Sequence, residues 1–219
     1  MTVYLNFHGV GTPGRDLEPG EAPYWIAADV FAEIAARVAE RAEPIGITFD
    51  DGNASDLEIC APILARHGLT AEIFVLSDRT GQPGSLSAAD LVALREMGMT
   101  IGTHGAAHID WRKTDDAALN RELTEARALI AEAAGAPVEA AAIPFNAYDA
   151  RVLKALKAAG YARVYASDGV PARAGVWPIP RTSIRADMDM DAVDAILAGK
   201  LPPLLRARRA LGMMKRRML

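Results

Sequence analysis

Apolar positions along the chain follow two periods, one typical of strands and one typical of helices. Residues 3, 5 and 7 are apolar at every second position, as in a strand with one buried face. Short apolar runs recur along the chain, and most are followed by a longer amphipathic stretch that ends at a glycine. Strands are predicted at residues 3–7, 45–49, 71–76, 99–102, 140–143, 161–165 and 176–184.

The predicted helices alternate with these strands. Such alternation favours parallel βαβ units, and the number of repeats favours a barrel over an open sheet. The predicted fold is α/β, a single-domain distorted (β/α) barrel of about seven parallel strands, with residues 1–200 as the main domain and 201–219 as a basic amphipathic tail. Helices are predicted at residues 24–41, 55–67, 87–97, 115–134, 149–159 and 187–197, and after Pro203.

Composition and charge are those of an ordinary globular domain. Of the 219 residues, 51% are hydrophobic and 24% charged, and the formal net charge of −4 gives no reason to expect nucleic acid as a partner. The N-terminus lacks the basic segment and long apolar run of a signal peptide. No run approaches the ~20 apolar residues that span a bilayer. We therefore expect a cytoplasmic protein.

The C-terminal tail departs from this charge balance. Residues 206–219 include six basic residues and no acidic residue, mixed with apolar ones. A basic amphipathic segment can lie on an anionic membrane, which would place the protein at the inner membrane face. The alternatives are a helix that packs on the domain or on a partner, and a disordered tail. The apolar residues of the tail are Leu204, Leu205, Leu211, Met213, Met214, Met218 and Leu219.

Two adjacent carboxylates follow one of the predicted strands. Asp50 and Asp51 come directly after the apolar run 45–49 and shortly before a predicted helix. Neighbouring carboxylates repel each other unless something neutralises one of them. A metal ion on one would do so and would leave the other as a base beside the same centre. Acidic residues ahead of a helix are also typical N-terminal caps, so the pair alone leaves both interpretations open.

Two of the four histidines follow another predicted strand. His104 and His108 are four residues apart, so both imidazoles fall on one turn of helix or one tight loop. Two neutral imidazoles and one carboxylate form a three-ligand metal site that leaves a position open for water. The alternative is two unrelated histidines in the core or on the surface. Their position after a strand, with few histidines elsewhere, favours metal binding.

These motifs resemble a known family. The segment Thr-Phe-Asp-Asp-Gly at 48–52, followed by His-x-x-x-His at 104–108, resembles the polysaccharide deacetylase family, carbohydrate esterase family four. The family's first motif is Thr-Phe-Asp-Asp and its second is His-Ser/Thr-x-x-His. A third stretch at 141–148, and the helix after it that ends in Ala-Gly-Tyr161, also resemble the family pattern. The resemblance covers about residues 1–185 and leaves the basic tail outside.

The resemblance implies a distorted β/α barrel and a metal-dependent hydrolase that removes an N-acetyl group from an amino sugar in a polysaccharide or glycolipid. It implies that Asp51, His104 and His108 bind one divalent metal ion, with zinc expected. It implies that Asp50 is the general base. It also implies that the backbone around Phe145 helps to stabilise the oxyanion.

Departures from the family pattern change the predicted site. Gly105 replaces the Ser/Thr of the second motif, and Ala142 stands where the third motif has an arginine that orients the catalytic aspartate. We predict that Arg181 reaches that space, with a structural salt bridge as the alternative. The family's late Leu-x-His motif, whose histidine is the general acid, is absent. His8 at the end of the first strand is predicted as general acid or substrate-orienting group, or else it holds the first loop in place.

Two further residues are predicted near the substrate. Asp168 resembles a position where related proteins carry an acid near the active site. Trp177 would form an apolar wall for a sugar or an acyl methyl group, although core packing is equally typical of tryptophan. With Phe145 and Arg181, these residues complete the predicted substrate-binding set.

Three functions remain open at this point. The first is an N-deacetylase of an amino sugar within a polysaccharide or glycolipid. The second uses the same metal chemistry as a deformylase or an O-deacetylase on a lipid-linked sugar. The third is a non-catalytic sugar-binding relative, which the alanine at position 142 and the missing late histidine motivate.

Overall fold

The strands form the inner layer of the molecule. The computed structural model describes residues 1–218, and the strands within them are β1 (Val3–Phe7), β2 (Gly9–Val10), β3 (Trp25–Ile26), β4 (Ile45–Phe49), β5 (Glu72–Val75), β6 (Thr100–Thr103), β7 (Ala140–Ala142), β8 (Arg163–Ala166), β9 (Ile179–Pro180) and β10 (Thr182–Ser183). Eight of them form one parallel sheet in the order β10-β1-β4-β5-β6-β7-β8-β9. Strands β2 and β3 form a separate parallel pair.

Strands β9 and β10 are two halves of one segment, separated by Arg181 alone. Strand β9 pairs with β8 at one edge of the sheet, whereas β10 pairs with β1 at the other edge. The segment 179–183 therefore joins the two edges and nearly closes the sheet into a barrel. Counted as one strand, it brings the total to the seven that were predicted. The predicted fold class, a single-domain distorted (β/α) barrel, is confirmed.

The helices surround this sheet. They are α1 (Ala28–Ala39), α2 (Ala61–Arg66), α3 (Ala88–Glu96), α4 (Asp116–Asn120), α5 (Ala126–Ala134), α6 (Ala150–Ala158), α7 (Met190–Leu197) and α8 (Pro203–Met218). Two wider π-type turns, Asp56–Cys60 and Arg121–Glu125, lead into α2 and α5. Ser87 is the N-cap of α3, and it forms a reciprocal capping box with Asp90.

Two predicted elements have different bounds in the structure. The helix predicted at 24–41 begins only at Ala28, because the backbone of Trp25–Ile26 pairs with Gly9–Val10 instead. The strand predicted at 176–184 is reduced to β9 and β10. The chain leaves one sheet edge and joins the other within this segment, so each half is only two residues long.

The two-residue period sorts the strand side chains between two cores. Val3, Leu5 and Phe7 of β1 belong to the large core between the sheet and the helices. The alternate residue Tyr4 faces the barrel interior instead, where it packs on Tyr165 of β8 with 5.6 Å between ring centroids. The other interior residues are Phe74, Ala140, Ala142 and Ile179.

The inward alternation continues past the strands and brings polar groups to one end of the barrel. After Tyr4 the next alternate residues are Asn6 and His8, and after Gly46 they are Thr48 and Asp50. Asn6, Thr48 and Asp50 are all buried. Because parallel strands share one carboxyl end, His8 and Asp50 fall at the same mouth of the barrel.

The basic tail is helical and contacts the domain. Met213 of α8 is buried, Arg209 donates a hydrogen bond to the carbonyl of Gly169, and Arg216 pairs with Asp168. Leu219 lies outside the described residues, and the boundary placed at residue 200 remains a prediction. Within residues 1–218, no helix is both long enough and apolar enough to cross a bilayer.

We expect Gly102→Ala to destabilise the fold, because the inside of the barrel is full at this position. A Cβ at Gly102 would lie 2.4 Å from two ring atoms of Phe74 and 3.1 Å from the carbonyl oxygen of Ala140. The expected loss in free energy of unfolding, measured in urea, is about 1–3 kcal/mol. The control Gly212→Ala lies in helix α8 and meets only ordinary contacts at 3.5 Å. Equal stabilities for the two variants would contradict a packed barrel interior.

Candidate active site

The carboxylate of Asp50 is paired with the guanidinium of Arg181 inside the barrel. Arg181 donates from one terminal nitrogen to Oδ1 at 2.7 Å and from the other to Oδ2 at 2.8 Å. Both residues are buried, at 2% and 0% relative exposure. Two parallel, charge-assisted bonds fix the plane of the carboxylate as well as its charge.

Hydrogen bonds from neighbouring polar side chains hold this ion pair in place. Asn6 donates from Nδ2 to Oδ2 of Asp50 at 2.8 Å, and its own Oδ1 accepts from Arg181 at 2.8 Å. Thr48 accepts a further bond from Arg181 at 3.1 Å. Among the described residues, Oδ1 of Asp50 has a single donor, Arg181, and therefore keeps a free lone pair.

The charges around Asp50 keep it ionised. Burial by itself raises the pKa of Asp50, but the charge and the hydrogen bonds of Arg181 outweigh burial, so the pKa lies well below its usual range. An ionised carboxylate at this depth is stable only while its cationic partner remains in place.

Arg181 occupies the space that the sequence leaves open at Ala142. Its guanidinium lies over the rings of Phe74 and Tyr165, at 5.3 and 5.7 Å from their centroids. Ala142 belongs to the same interior cluster as these two rings. A long side chain at position 142 would enter that cluster, so the small alanine and the arginine at 181 are complementary.

Asp51, His104 and His108 converge at the mouth of the barrel. Oδ1 of Asp51 lies 3.7 Å from Nε2 of His104 and 3.5 Å from Nε2 of His108. One candidate ligand atom from each residue lies within 4.8 Å of the others. Tetrahedral coordination at ~2.0–2.2 Å separates neighbouring ligands by roughly 3.3–3.6 Å. The three groups therefore have the spacing of a metal site.

The chemistry of these donors also suits a divalent cation. Both carboxylate oxygens of Asp51 are buried, and neither has a hydrogen-bond partner among the described residues. A buried carboxylate without partners is costly unless a cation meets it. Asp51, His104 and His108 would hold such an ion.

Each imidazole is oriented by a bond on its far side. Nδ1 of His104 lies 2.9 Å from the carbonyl oxygen of Ala142, and Nδ1 of His108 lies 2.6 Å from Oε2 of Glu18. A proton on each Nδ1 leaves the lone pair of each Nε2 free to bind a metal. Burial lowers the pKa of His104 to about 4, although the carboxylates of Asp50 and Asp51 oppose the shift. His104 is therefore neutral near pH 7, as a metal ligand must be.

Glu18 and Glu122 were not predicted from the sequence. Glu18 lies in the first loop, where acidic residues are ordinary surface groups, and it also pairs with Arg79. Buried Glu122 accepts bonds from the backbone of Ala106 at 2.7 Å and from Nε1 of Trp111 at 3.2 Å, and so holds the loop between the two histidines. Nothing in the local sequence distinguishes either glutamate from a surface one.

Glu122 and its neighbours account for glycine at position 105. A Cβ on Gly105 would lie 2.3 Å from the carboxylate of Glu122 and 3.1 Å from the ring of Trp111. Gly105 also has φ +92°, a conformation that side chains rarely adopt. Its N–H donates to Oγ1 of Thr103 at 3.0 Å, so the hydroxyl two residues earlier, at the end of β6, holds this loop.

The candidate ligands and Asp50 open into a cavity of about 480 Å³. Within residues 1–218, four non-glycine residues have positive φ, and all four line this cavity: Asp51, His108, Phe145 and Asn146. Backbone in this region costs about 1–3 kcal/mol per residue and tends to accumulate at functional sites. No pattern in the sequence predicts these positive φ angles.

His8 and Phe145 both lie at this cavity. His8 packs on the ring of Tyr24 with 4.8 Å between centroids, and its buried Nδ1 has no hydrogen-bond partner among the described residues. Phe145 is 60% exposed, and its ring lies 4.2 Å from that of His108. An exposed aromatic ring beside the candidate metal site offers an apolar face to a ligand.

The two remaining predicted residues are placed differently. Asp168 lines the cavity and is buried, where it accepts from the hydroxyl of Tyr148 at 2.9 Å and pairs with Arg216. Trp177 is not among the cavity-lining residues; it packs beside the core of α6, with Nζ of Lys157 4.9 Å from its ring centroid. Its position gives no support to the predicted contact with substrate.

Comparison with known proteins gives a consistent result. The family model described as polysaccharide deacetylase matches residues 37–164, more than half of the chain. YxkH of Bacillus subtilis (strain 168) is 23% identical over 153 residues, which are 69% of this chain and 55% of that protein. The chain thus spans about half the length of this curated relative.

Solved structures share the fold. The deacetylase PplD of Streptococcus pyogenes, in complex with acetate, matches with a TM-score of 0.77 at 17% identity, covering 91% of this chain and 98% of that one. The de-N-acetylase of Aggregatibacter actinomycetemcomitans matches with a TM-score of 0.73 at 13% identity, covering 90% and 99%. At these identities the likeness shows a common fold.

We expect Arg181→Met to destabilise the metal-free protein by about 3–5 kcal/mol at pH 7, because it leaves the buried carboxylate of Asp50 unpaired. The matched control is Arg163→Met, which removes a half-exposed pair with Glu72 and should cost about 0–1 kcal/mol. Urea unfolding in the presence of a chelator measures both. Equal losses would contradict the buried pair.

The effect of Arg181→Met should also depend on pH. In the wild type the folded pKa of Asp50 lies below its unfolded value of about 3.9, so the pair stabilises the fold above that pH. In the variant, burial without the guanidinium raises the folded pKa, and the penalty vanishes as the carboxyl becomes protonated. The difference in unfolding free energy should therefore narrow between pH 7 and pH 5. A constant difference would show that the unpaired, buried charge of Asp50 is not the cause of the lost stability.

Proposed function

Because the chain belongs to the polysaccharide deacetylase family, we propose that it is a metal-dependent hydrolase that removes an N-acetyl group from an amino sugar in a polysaccharide or glycolipid. The observation that carries the proposal is the buried carboxylate of Asp51, which has no hydrogen-bond partner within residues 1–218 and faces Nε2 of His104 and of His108. A second carboxylate, Asp50, lies beside it and is held ionised by Arg181.

The reaction divides among these residues as follows. A bound divalent cation, with zinc expected, supplies Lewis acidity that polarises an acyl oxygen and lowers the pKa of water. Asp50 accepts a proton from the attacking water at Oδ1, the oxygen with a free lone pair. The two bonds from Arg181 hold that oxygen in place while the proton moves.

The other side of the substrate is handled by groups on the cavity wall. The imidazole of His8, which lines the cavity, donates a proton to the departing amine. The backbone around Phe145 helps to stabilise the developing oxyanion. The ring of Phe145 excludes water from one side of the metal ligands. The products are a carboxylate and a free amine.

Two observations bear on the alternatives. A non-catalytic role was motivated by Ala142, and the guanidinium of Arg181 now supplies the charge that position lacks. The same water would also hydrolyse a formamide or an acetate ester, so the assay must include N-acetylated, N-formylated and O-acetylated sugars.

The first test separates metal binding from proton transfer. We expect about one zinc per chain in the wild type and in Asp50→Asn, and loss of zinc in His104→Ala. Release of acetate or formate from N-acetylated, N-formylated or O-acetylated sugars should fall about 10²–10⁴-fold in Asp50→Asn, because the base is lost while the ion is kept. Zinc retained in His104→Ala would contradict the ligand set. A zinc-loaded wild type that releases neither acid would contradict the hydrolase.

We propose further that the outer face of helix α8 contacts an anionic membrane, where a lipid-linked substrate would be found. Exposed apolar residues at Leu204, Leu211 and Met218 recur every two turns. Arg208 and Lys215 are exposed on the same face, four residues after Leu204 and Leu211. An apolar stripe between cations is the pattern that favours an anionic bilayer surface.

Flotation with phosphatidylglycerol vesicles tests this contact. Removing the whole helix would also remove Arg209 from the cavity wall and Arg216 from its pair with Asp168, so substitutions on the outer face are preferable. We expect Leu204→Glu with Leu211→Glu to reduce flotation about tenfold or more. The control Leu129→Glu changes a leucine that is 56% exposed on α5 and should have no effect. Flotation equal in all three proteins, or absent in the wild type, would contradict the proposal.

A further inference from the structure

Helix α8 turns a second face towards the cavity. Arg209, Met213 and Arg216 are spaced at i, i+4 and i+7, so their side chains leave the helix on one side. Met213 is buried, and Arg216 pairs with Asp168 while its guanidinium lies 5.2 Å from the ring centroid of Tyr148. These contacts fix the helix against the mouth of the barrel.

Because α8 is fixed in this way, the side chain of Arg209 lies at the cavity wall. It lines the same cavity as the candidate metal ligands, and it donates to the carbonyl oxygen of Gly169. The contact needs a glycine, because a Cβ at Gly169 would lie 2.7 Å from Cζ of Arg209. The chain thus leaves space for this guanidinium at a point where an ordinary residue would displace it.

The carboxylates that line the cavity are already neutralised. Glu21 pairs with Arg15, Asp50 with Arg181 and Asp168 with Arg216. Glu18 pairs with both Arg79 and His108. Only Asp51 is without a cationic side chain within the described residues, apart from the candidate ligand histidines, and it would face the metal ion.

Of the arginines that line the cavity, Arg209 is the one without a carboxylate partner among the described residues. Arg185, the other arginine that lines the cavity, is bound by Asp187 at 3.0 Å. Within residues 1–218, Arg209 has no carboxylate partner, and burial alone lowers its pKa without a neighbouring charge to oppose the shift. An arginine remains charged in any case. With a divalent ion opposite a single carboxylate, the cavity carries excess positive charge.

We propose that Arg209 binds an anionic group, a phosphate or a carboxylate, on the amino sugar that this site accepts; this rests on the proposed function for the class of sugar. The planar guanidinium has donors beyond the one given to Gly169, and it suits two oxygens of either anion. Arg209 is a specificity-determining residue of the C-terminal helix, and this helix is one wall of the substrate site.

Calorimetric titration of the zinc-loaded full chain tests the proposal. The ligands are N-acetylglucosamine, its 1-phosphate and 6-phosphate, and N-acetylmuramic acid, which separate phosphate from carboxylate and one position from another. We expect at least one anionic sugar to bind ten- to hundredfold more tightly than N-acetylglucosamine, as charge-assisted hydrogen bonds allow. That preference should fall below about threefold in Arg209→Gln.

A second pair of variants moves the guanidinium without removing it. Gly169→Ala places a methyl group against Arg209, whereas Gly160→Ala adds a methyl group at a similar φ, +71° against +70°, with nothing within 4 Å. We expect the preference to be lost in Gly169→Ala and kept in Gly160→Ala. Arg208→Gln, an exposed cation on the same helix, should also keep it.

Two results would overturn the proposal. One is equal binding of all four sugars to the wild type. The other is a preference that survives in Arg209→Gln, which would place the anion on the metal ion or on another residue. Binding is measured apart from acyl release, so a preference that depends on Arg209 in a protein that releases no acid would refute the hydrolase and keep the anion site.

Discussion

The ion pair between Asp50 and Arg181 is the interaction on which the rest of the site depends. A carboxylate this deep in a barrel stays ionised only if a cation of matching geometry meets it, and the guanidinium does so through two parallel bonds. Arg181 lies between the two short strands that join the edges of the sheet. Closure of the barrel and ionisation of Asp50 therefore depend on the same segment, residues 179–183. A change that weakens the pairing of β9 or β10 would disturb both.

The ion pair with Arg181 also makes Asp50 a weaker base, which works against its proposed role in the reaction. A carboxylate with a lowered pKa is a weak base, and it would remove a proton from free water poorly. The neighbouring metal ligands compensate for the weak basicity of Asp50. Asp51, His104 and His108 would hold an ion that makes water more acidic. The two halves of the site are thus interdependent: Arg181 supplies orientation and charge, and the metal ligands supply the acidity that Asp50 needs.

The sequence predicted most of the fold and the centre of the site. Strand and helix periodicity indicated the barrel, and the motifs indicated Asp50, Asp51 and both histidines, because these follow strands directly. The sequence did not reveal Glu18 or Glu122, since each acts across more than ten residues of chain and resembles a surface acid. Nor could it show that Trp177 packs away from the cavity, or that the basic tail places Arg209 in it. Those outcomes depend on tertiary packing rather than on local pattern.

The most direct test of the central claim is a crystal structure of the zinc-loaded protein with anomalous diffraction measured at the zinc edge. The proposed division of roles predicts one ion bound at about 2.0–2.2 Å by Asp51, His104 and His108, with Asp50 still paired to Arg181 through both oxygens. An ion bound by Asp50, with Arg181 displaced, would contradict that division. So would an anomalous peak elsewhere and none between the three predicted ligands.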